Sequence, residues 1–178
     1  MSAAELDLQS YVGSKAGPFY AWDPVNAPMI RHWCEAMGDT NPIYTQADTA
    51  REQGFGGRVA PPTMMQAWVM PGYGGQREPR SDTRSAFEVL QVLEEAGYPG
   101  VVAVNCEQEY QRYLEEGDEV YFTAELESIS EEKQTALGNG YFCTELSTFY
   151  NQRDEVVGRM RFRVFRYWPK QMQEAANG

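Results

Sequence analysis

The residues most able to do chemistry lie in one short stretch, GDTNPIY, at residues 38–44. Its Asp39 follows a glycine that can end a helix and precedes an Asn-Pro pair that favours a tight turn. One interpretation is purely structural, a helix end followed by a turn. The other is functional, because a carboxylate held on a tight loop could activate a water molecule. The spacing alone leaves both interpretations open.

Other candidate nucleophiles and metal ligands are few. Cys34, Cys106 and Cys143 are far apart, with no CxxC motif and no Cys/His cluster, so we expect no metal site. We predict that each thiol is a small core residue. The single histidine, His32, is two positions from Cys34 and would point to a different side of a helix, which argues against a Cys-His dyad. We predict that His32 is structural or lies on the surface.

Several helices are predicted in the first half of the chain, around this stretch. Residues 24–39 carry apolar side chains at spacings of three and four, which predicts an amphipathic helix that ends at Gly38. Residues 45–53 could form a short polar helix, and residues 63–70 a short apolar one. Residues 87–98 have the pattern of a second amphipathic helix.

Strands are predicted from residue 100 onward. The candidates are residues 101–114, 119–129, 134–150 and 155–168, the third of them interrupted by Gly-Asn-Gly. The last candidate alternates three arginines with apolar residues, the pattern of a half-buried strand. The alternating residues are Arg159, Arg161 and Arg163 against Met160, Phe162 and Val164. Helices followed by long antiparallel strands predict an α+β fold.

Composition excludes several classes of protein. The 178 residues carry 15 Lys+Arg and 26 Asp+Glu, a formal net charge of −11, which argues against binding to nucleic acid or to an anionic membrane. No apolar run approaches the roughly 18–20 residues of a membrane span, and the start of the chain lacks the pattern of a secretory signal. We therefore expect a cytoplasmic protein with one domain over residues 1–178, in which 1–20 form a flexible arm and 170–178 a tail.

The order of these elements around GDxNP resembles the MaoC-like, (R)-specific enoyl-CoA hydratases. The resemblance implies the hot-dog fold, in which a curled antiparallel sheet wraps a central helix. In that family the motif is GDxNPxH, and its Asp and His together orient a water molecule that adds to a 2-enoyl-CoA. A later glycine offers its backbone N–H to the thioester oxygen.

Carried onto this sequence, the family motif is incomplete. Asp39 matches the family Asp, and Asn41 and Pro42 match the loop that sets its geometry. The His position is Tyr44, whose phenol is no base near neutral pH. The glycine position falls in VAPPTMM on Pro62, which has no N–H to donate. The resemblance therefore implies no catalytic residue in this chain, with Asp39 as a vestige.

Three further runs narrow the resemblance to one subgroup. NCEQ, RYLEEGD and KQTALG are similar to the MaoC-like domain in the larger subunit of bacterial steroid side-chain hydratases. In that subgroup the larger subunit is catalytically degenerate and shapes the pocket, and a small MaoC-like subunit supplies the Asp and His. The resemblance implies a heterodimer or heterotetramer that hydrates a steroid side-chain CoA ester, with no cofactor other than the coenzyme A of the substrate.

A short central helix would leave space for a bulky acyl group. We predict that Asn41 and the side chains of residues 63–70 contact the substrate, namely Met64, Met65, Trp68 and Met70. The same apolar side chains could instead be ordinary core. For the CoA phosphates we predict Lys133, Arg159 and Arg161, although a solvated, ion-paired strand face would give the same pattern.

Two other functions remain open from the sequence. The chain could be a self-sufficient hydratase that uses Asp39 with Tyr44 or an ordered water. It could also be an acyl-CoA-binding protein without a catalytic role. A thioesterase is less favoured, because no well-placed nucleophile or second carboxylate stands out.

Overall fold

The computed structural model describes residues 7–170, which form one antiparallel sheet and four short α-helices. The helices are α1 (Ala27–Met37), α2 (Pro42–Thr45), α3 (Ala47–Glu52) and α4 (Glu88–Glu95). The strands are β1 (Lys15–Tyr20), β2 (Gly100–Tyr110), β3 (Tyr121–Ile129), β4 (Lys133–Gln134), β5 (Gly138–Tyr150) and β6 (Val156–Pro169). Their order in the sheet is β1-β3-β5-β6-β2, and β4 pairs with β5. The predicted α+β class is confirmed.

The N-terminal segment is more ordered than the sequence predicts. A 3₁₀ turn at Leu8–Tyr11 precedes β1, which pairs with β3. The loop before α4 holds this strand, because the backbone N–H of Gly17 donates to Asp82 Oδ2 at 3.0 Å. The prediction of a flexible arm over residues 1–20 is therefore wrong for the paired residues, while residues 1–6 lie outside the described part. The predicted tail lies outside it too, apart from Lys170.

The helix α1 is confirmed together with its predicted end at Gly38, and it begins at Ala27. Asn26 Oδ1 accepts a hydrogen bond from the N–H of Met29 at 3.0 Å, which caps the first turn. Gly38 ends the helix in the left-handed region at φ 67°, where glycine is favoured. The predicted polar helix over residues 45–53 is confirmed as α3, and the extended backbone of Gln46 separates it from α2, which was not predicted.

The predicted helix over residues 63–70 is wrong. The chain forms two 3₁₀ turns instead, Pro62–Met64 and Ala67–Val69. Prolines restrict this segment at both ends, with Pro61 and Pro62 before it and Pro71 after it, so few residues are left to propagate an α-helix. The predicted amphipathic helix over residues 87–98 is confirmed as α4, which buries Val89 and Leu93 against the concave face of the sheet.

The strand predictions are confirmed, with β5 beginning at the predicted Gly-Asn-Gly interruption. In β6 the apolar Met160 and Val164 are buried on the concave face. The alternating arginines lie on the opposite face, where Arg161 Nε donates to Glu127 Oε1 at 2.9 Å. Arg163 lies over the ring of Phe142, with 4.6 Å from Cζ to the ring centroid.

Two large hydrophobic cores and one smaller cluster lie on the concave face, and the smaller cluster consists of Ala16, Phe19, Ala86 and Ala124. The turn-side core lies under the 3₁₀ turns and includes Ile30, Tyr44, Met64, Met65, Trp68 and Met160. The helix-side core lies under α4 and includes Val89, Leu93, Leu126, Ile129, Cys143 and Val164. Phe162 packs against both cores, so it marks the boundary between them.

Across residues 7–170, every helix is too short or too polar to cross a membrane.

Candidate functional site

The GDTNPIY loop connects α1 to α2 through side-chain caps. Asp39 Oδ1 accepts a hydrogen bond from the N–H of Asn41 at 3.0 Å. Asn41 Oδ1 accepts from the N–H of Ile43 at 3.3 Å and so caps α2. The N–H of Asp39 donates to Cys34 O at 2.9 Å. These bonds agree with the structural interpretation of the motif, a helix end followed by a turn. The Asp39 carboxylate is exposed, and a second catalytic group would have to act with it to activate water.

Tyr44 occupies the position where the resemblance expects a histidine. Its side chain is buried in the turn-side core. Burial raises the pKa of Tyr44 to about 12, and the nearby Tyr113 and Asp39 act in the same direction. The phenol is therefore neutral near pH 7 and can donate or accept a hydrogen bond, but it cannot remove a proton from water.

Pro62 begins the first 3₁₀ turn, at the position where the family glycine is expected. It lacks a backbone N–H, and its carbonyl oxygen accepts from the N–H of Met65 at 3.0 Å. The neighbouring N–H of Ala60 donates to Leu114 O at 2.8 Å. The segment therefore offers no N–H to a thioester oxygen at the position that the resemblance indicates.

The residues predicted to contact substrate have different surroundings. Met64 and Met65 are 0% and 1% exposed in the turn-side core, and their contact with a substrate stays a prediction. Met70 is exposed after the second 3₁₀ turn, and Asn41 lines an open cleft beside Phe55. Trp68 is buried, and its Nε1–H has no hydrogen-bond partner among the described residues.

The cations predicted to bind the CoA phosphates do not form one site. Lys133 pairs with Gly140 and Arg159 with Thr148 along β5, positions roughly 27 Å apart at about 3.4 Å per residue. Arg161 is held by both oxygens of Glu127, at 2.9 and 3.0 Å from Nε. Alternation places Arg159 and Arg161 on the outer face of β6, and binding of CoA phosphates by any of the three cations stays a prediction.

Sequence reasoning missed two arginines beside Tyr44. Arg31 and Arg58 line a cleft of about 230 Å³ with Tyr44 and the start of α1. Each pairs with a carboxylate at the surface: Arg58 Nη1 lies 2.7 Å from Glu116 Oε2, and Arg31 Nη1 lies 2.9 Å from Glu35 Oε1. A guanidinium group has five N–H donors, so both can still bind an anion. The signal was present in GGRVAPP, directly before the oxyanion position.

The thiols and the histidine take no part in this site. Cys34 and Cys143 are buried as predicted, whereas Cys106 is exposed on β2, where the prediction of a core residue is wrong. Burial raises the pKa of Cys143 to about 12. Within residues 7–170, His32 is exposed next to Arg31, and no group of acidic, Cys or His side chains could hold a metal ion.

Comparisons with known proteins identify the family of this chain. Residues 10–160 match the family described as FAS1-like, dehydratase domain region. The chain is 47% identical over 171 residues to a probable enoyl-CoA hydratase alpha subunit of Thermomonospora curvata, covering 96% of this chain and 54% of that protein. It is 46% identical over 165 residues to the 3-oxo-4,17-pregnadiene-20-carboxyl-CoA hydratase alpha subunit of Mycobacterium tuberculosis, covering 93% and 52%. The chain thus spans about half the length of both curated relatives.

A solved structure confirms the hot-dog fold that the resemblance implied. The chain superimposes on a chain of the ChsH1-ChsH2 complex from Mycobacterium tuberculosis with a TM-score of 0.82 and 42% sequence identity. The match covers 92% of this chain and 97% of the other.

Proposed function

The chain belongs to the FAS1-like dehydratase domain family, whose MaoC-like members share the hot-dog fold, and we propose that it is the non-catalytic half of a two-subunit enoyl-CoA hydratase. In this proposal the complex adds water to the double bond of a 2-enoyl-CoA with a bulky, polycyclic acyl group. A small MaoC-like partner supplies the catalytic Asp and His, and this chain supplies walls of the pocket.

The pair Tyr44 and Pro62 is the observation that carries the proposal. Hydration needs a base that takes one proton from water as its oxygen bonds to C3. It also needs donors for the thioester oxygen, where negative charge develops before C2 is protonated. The buried phenol of Tyr44 cannot be that base, and Pro62 cannot be that donor. We propose that both groups come from another chain.

One of the two edge strands of the described sheet, β2, supports a partner. Among the described residues β2 pairs with β6 alone, and its other edge is open. Val101, Val102 and Val104 on this strand are 54%, 37% and 44% exposed. An exposed edge with apolar side chains favours pairing with another strand. We propose that the partner subunit pairs there, giving a heterodimer or a heterotetramer.

The proposed substrate class rests on the relatives and on the shape of the turn-side core. One relative is named for a steroid-type carboxyl-CoA, and this chain is 46% identical to it. The 3₁₀ turns fill less of the concave face than a long α-helix would. The unpartnered Nε1–H of Trp68 would gain a hydrogen bond from a ligand carbonyl, and an unpaired buried donor costs roughly 1–3 kcal/mol. We propose that Trp68 contacts the acyl-CoA.

Coenzyme A enters only as part of the substrate in this proposal. Arg31 and Arg58, at the cleft beside Tyr44, are the cations that we propose for its phosphates, in place of Lys133, Arg159 and Arg161. Phosphate groups bind arginine through paired, charge-assisted hydrogen bonds. The described cysteines form no disulfide, which is compatible with the cytoplasmic location that we include in the proposal.

The test is a hydration assay on the purified chain, with and without a small MaoC-like subunit encoded beside it. Loss of the enoyl-thioester absorbance is followed for a steroid enoyl-CoA and for a short aliphatic one. We expect no turnover by the chain alone and turnover of the steroid substrate by the pair.

An Asp39→Asn variant separates the proposal from a self-sufficient hydratase. Asparagine keeps the oxygen that accepts from the N–H of Asn41, so the loop should remain intact. We expect the pair to keep its rate within about twofold. Turnover by the chain alone that this substitution abolishes would overturn the proposal, and tight acyl-CoA binding by a pair that never turns over would favour the binding protein.

A further inference from the structure

The edge strand β2 is divided into an apolar half and an acidic half. Residues 100–104 have the sequence GVVAV and include three valines that are 37–54% exposed. Residues 105–110 have the sequence NCEQEY and include two exposed carboxylates, Glu107 and Glu109. The register with β6 shifts at the boundary between the halves. The strand contains no lysine or arginine, so its halves differ in hydropathy and in charge and no cation balances the acidic one.

The two carboxylates lie on the outer face of the sheet beside the open edge. The register places Glu107 next to Arg161 and Glu109 next to Arg159 on β6. Arg161 is held by Glu127. Neither carboxylate of β2 forms an ion pair or a side-chain hydrogen bond among residues 7–170. A further strand would lie about 4.8 Å away on the open side, where its side chains could pair with these carboxylates.

A second copy of this chain is a poor partner for β2. If the two copies paired antiparallel along the whole strand, the valine half of each would lie against the acidic half of the other. An overlap of the valine halves alone would leave residues 105–110 of both copies unpaired. An overlap of the acidic halves alone would set carboxylates against carboxylates, which destabilises a strand pair. The arrangement of β2 therefore disfavours a homodimer through this edge.

We propose that β2 selects a partner strand with the opposite arrangement, with lysine or arginine on the outer face of its first half and apolar residues in its second half. The inference rests on the proposed function, which places a different subunit at this edge. Antiparallel pairing then sets the partner's cations against Glu107 and Glu109, and its apolar residues against the valines. The apolar contacts stabilise the complex, and the charges discriminate against a second copy of this chain.

The experiment measures the Kd between the purified chain and the small MaoC-like subunit by calorimetry. Glu107→Lys combined with Glu109→Lys replaces attraction by repulsion and should raise the Kd about tenfold at low salt. The rise should shrink in 1 M salt, where the Debye length is about 3 Å. The double change to glutamine removes the attraction alone and should raise the Kd about threefold, so the inference stays testable if the lysine variant fails to fold.

A matched double variant controls for the change in net charge. Glu125→Lys combined with Glu131→Lys makes the same change on β3 and in the turn after it, three strands away from β2. It should leave the Kd within about twofold of the native value. Exchange of the charges makes the result specific. Changing the basic residues of the partner's edge strand to glutamate should restore its affinity for the lysine variant of β2.

Two results would overturn the inference. One is a Kd that neither double substitution in β2 changes. The other is a homodimer of the native chain that forms as tightly as the complex and that Val102→Lys, on β2, dissociates in sedimentation velocity.

Hydration is assayed in parallel at subunit concentrations above the Kd, which separates the inference from the proposed function. A pair that associates in this charge-dependent way but hydrates no enoyl-CoA would support the inference and contradict the proposed function. A pair that hydrates its substrate, with a Kd that does not depend on the β2 carboxylates, would support the proposed function and contradict the inference. Failure of the two subunits to associate would contradict both.

Discussion

The two cores of the concave face differ in what covers them. The helix-side core lies under α4, a regular helix whose Val89 and Leu93 are fully buried. The turn-side core lies under two 3₁₀ turns that follow a Pro-Pro pair. A regular helix satisfies its own backbone and buries one apolar face, whereas short turns leave irregular space and unpaired groups. We predict that the helix-side core contributes most of the stability and that the ligand contacts lie on the turn side.

Buried N–H groups without a partner show the same difference. In the helix-side region Arg166 leaves its Nε unpaired, but its Nη2 forms an ion pair with Glu94 on α4. In the turn-side core the Nε1–H of Trp68 has no partner among the described residues. The first group belongs to a contact that fixes α4 to β6. The second has no structural role that explains it, which is expected of a group that meets a ligand.

The largest effect is expected in the helix-side core. Leu93→Ala removes a fully buried side chain from α4 and leaves a cavity, which should lower the free energy of unfolding by about 2–5 kcal/mol. Urea denaturation followed by circular dichroism measures it. Gln91→Ala, on the exposed side of the same helix, is the control and should change stability by less than about 0.5 kcal/mol. Equal effects of the two would show that α4 is not what stabilises the sheet.

A second substitution tests how tightly the 3₁₀ turns pack on the sheet. A Cβ at Gly158 on β6 would lie 2.5 Å from Glu109 O and 2.6 Å from Met65 Sδ. Gly158→Ala should therefore lower the free energy of unfolding by about 1–3 kcal/mol, because the backbone oxygen cannot move away freely. Gly74→Ala is the control, since nothing lies within 4 Å of its Cβ position. A neutral Gly158→Ala would mean that the turn-side core is loosely packed.

The sequence predicted regular elements well where local chemistry determines them. The apolar spacing and the Gly38 end both belong to α1 itself, and the alternation in β6 fixes which side chains face the core. The segment β1 was missed because KAGPFY contains Gly and Pro, which usually interrupt strands. Its pairing depends on β3, more than 100 residues away, which no local pattern reports.

The candidate site was predicted less completely, because it depends on tertiary contacts. Tyr44 and Pro62 could be identified from the motif alone, and the structure adds that the phenol is buried. The cleft of Arg31 and Arg58 forms only when α1 and the segment before the 3₁₀ turns come together. The place of Glu145 on the inner face also escaped the sequence analysis, because it follows from register with Leu126 and Phe162.

A smaller effect, on substrate binding, is expected at the cleft of Arg31 and Arg58. We predict that these arginines bind the ligand and contribute little to stability. Arg58→Gln removes a cation beside Tyr44 and should raise the KM of the two-subunit complex for enoyl-CoA about three- to tenfold, with kcat nearly unchanged. The effect should shrink at high salt, because charge attraction is screened. Arg161→Gln, on the outer face, should leave KM unchanged. A larger effect of Arg161→Gln than of Arg58→Gln would indicate that the CoA phosphates bind at the outer face.

The smallest effect is expected at Tyr44 itself. Tyr44→His restores the imidazole of the family motif beside Asp39. The variant therefore tests whether the missing base alone explains the expected lack of hydratase activity in this chain. We expect no hydratase activity from the isolated variant, because Pro62 still cannot donate an N–H to the thioester oxygen. The same hydration assay measures it, with Tyr44→Phe as the control for the loss of the phenol. Hydratase activity of the isolated Tyr44→His variant, without activity of Tyr44→Phe, would show that the native chain lacks only the base and that the oxyanion donor is not needed at Pro62.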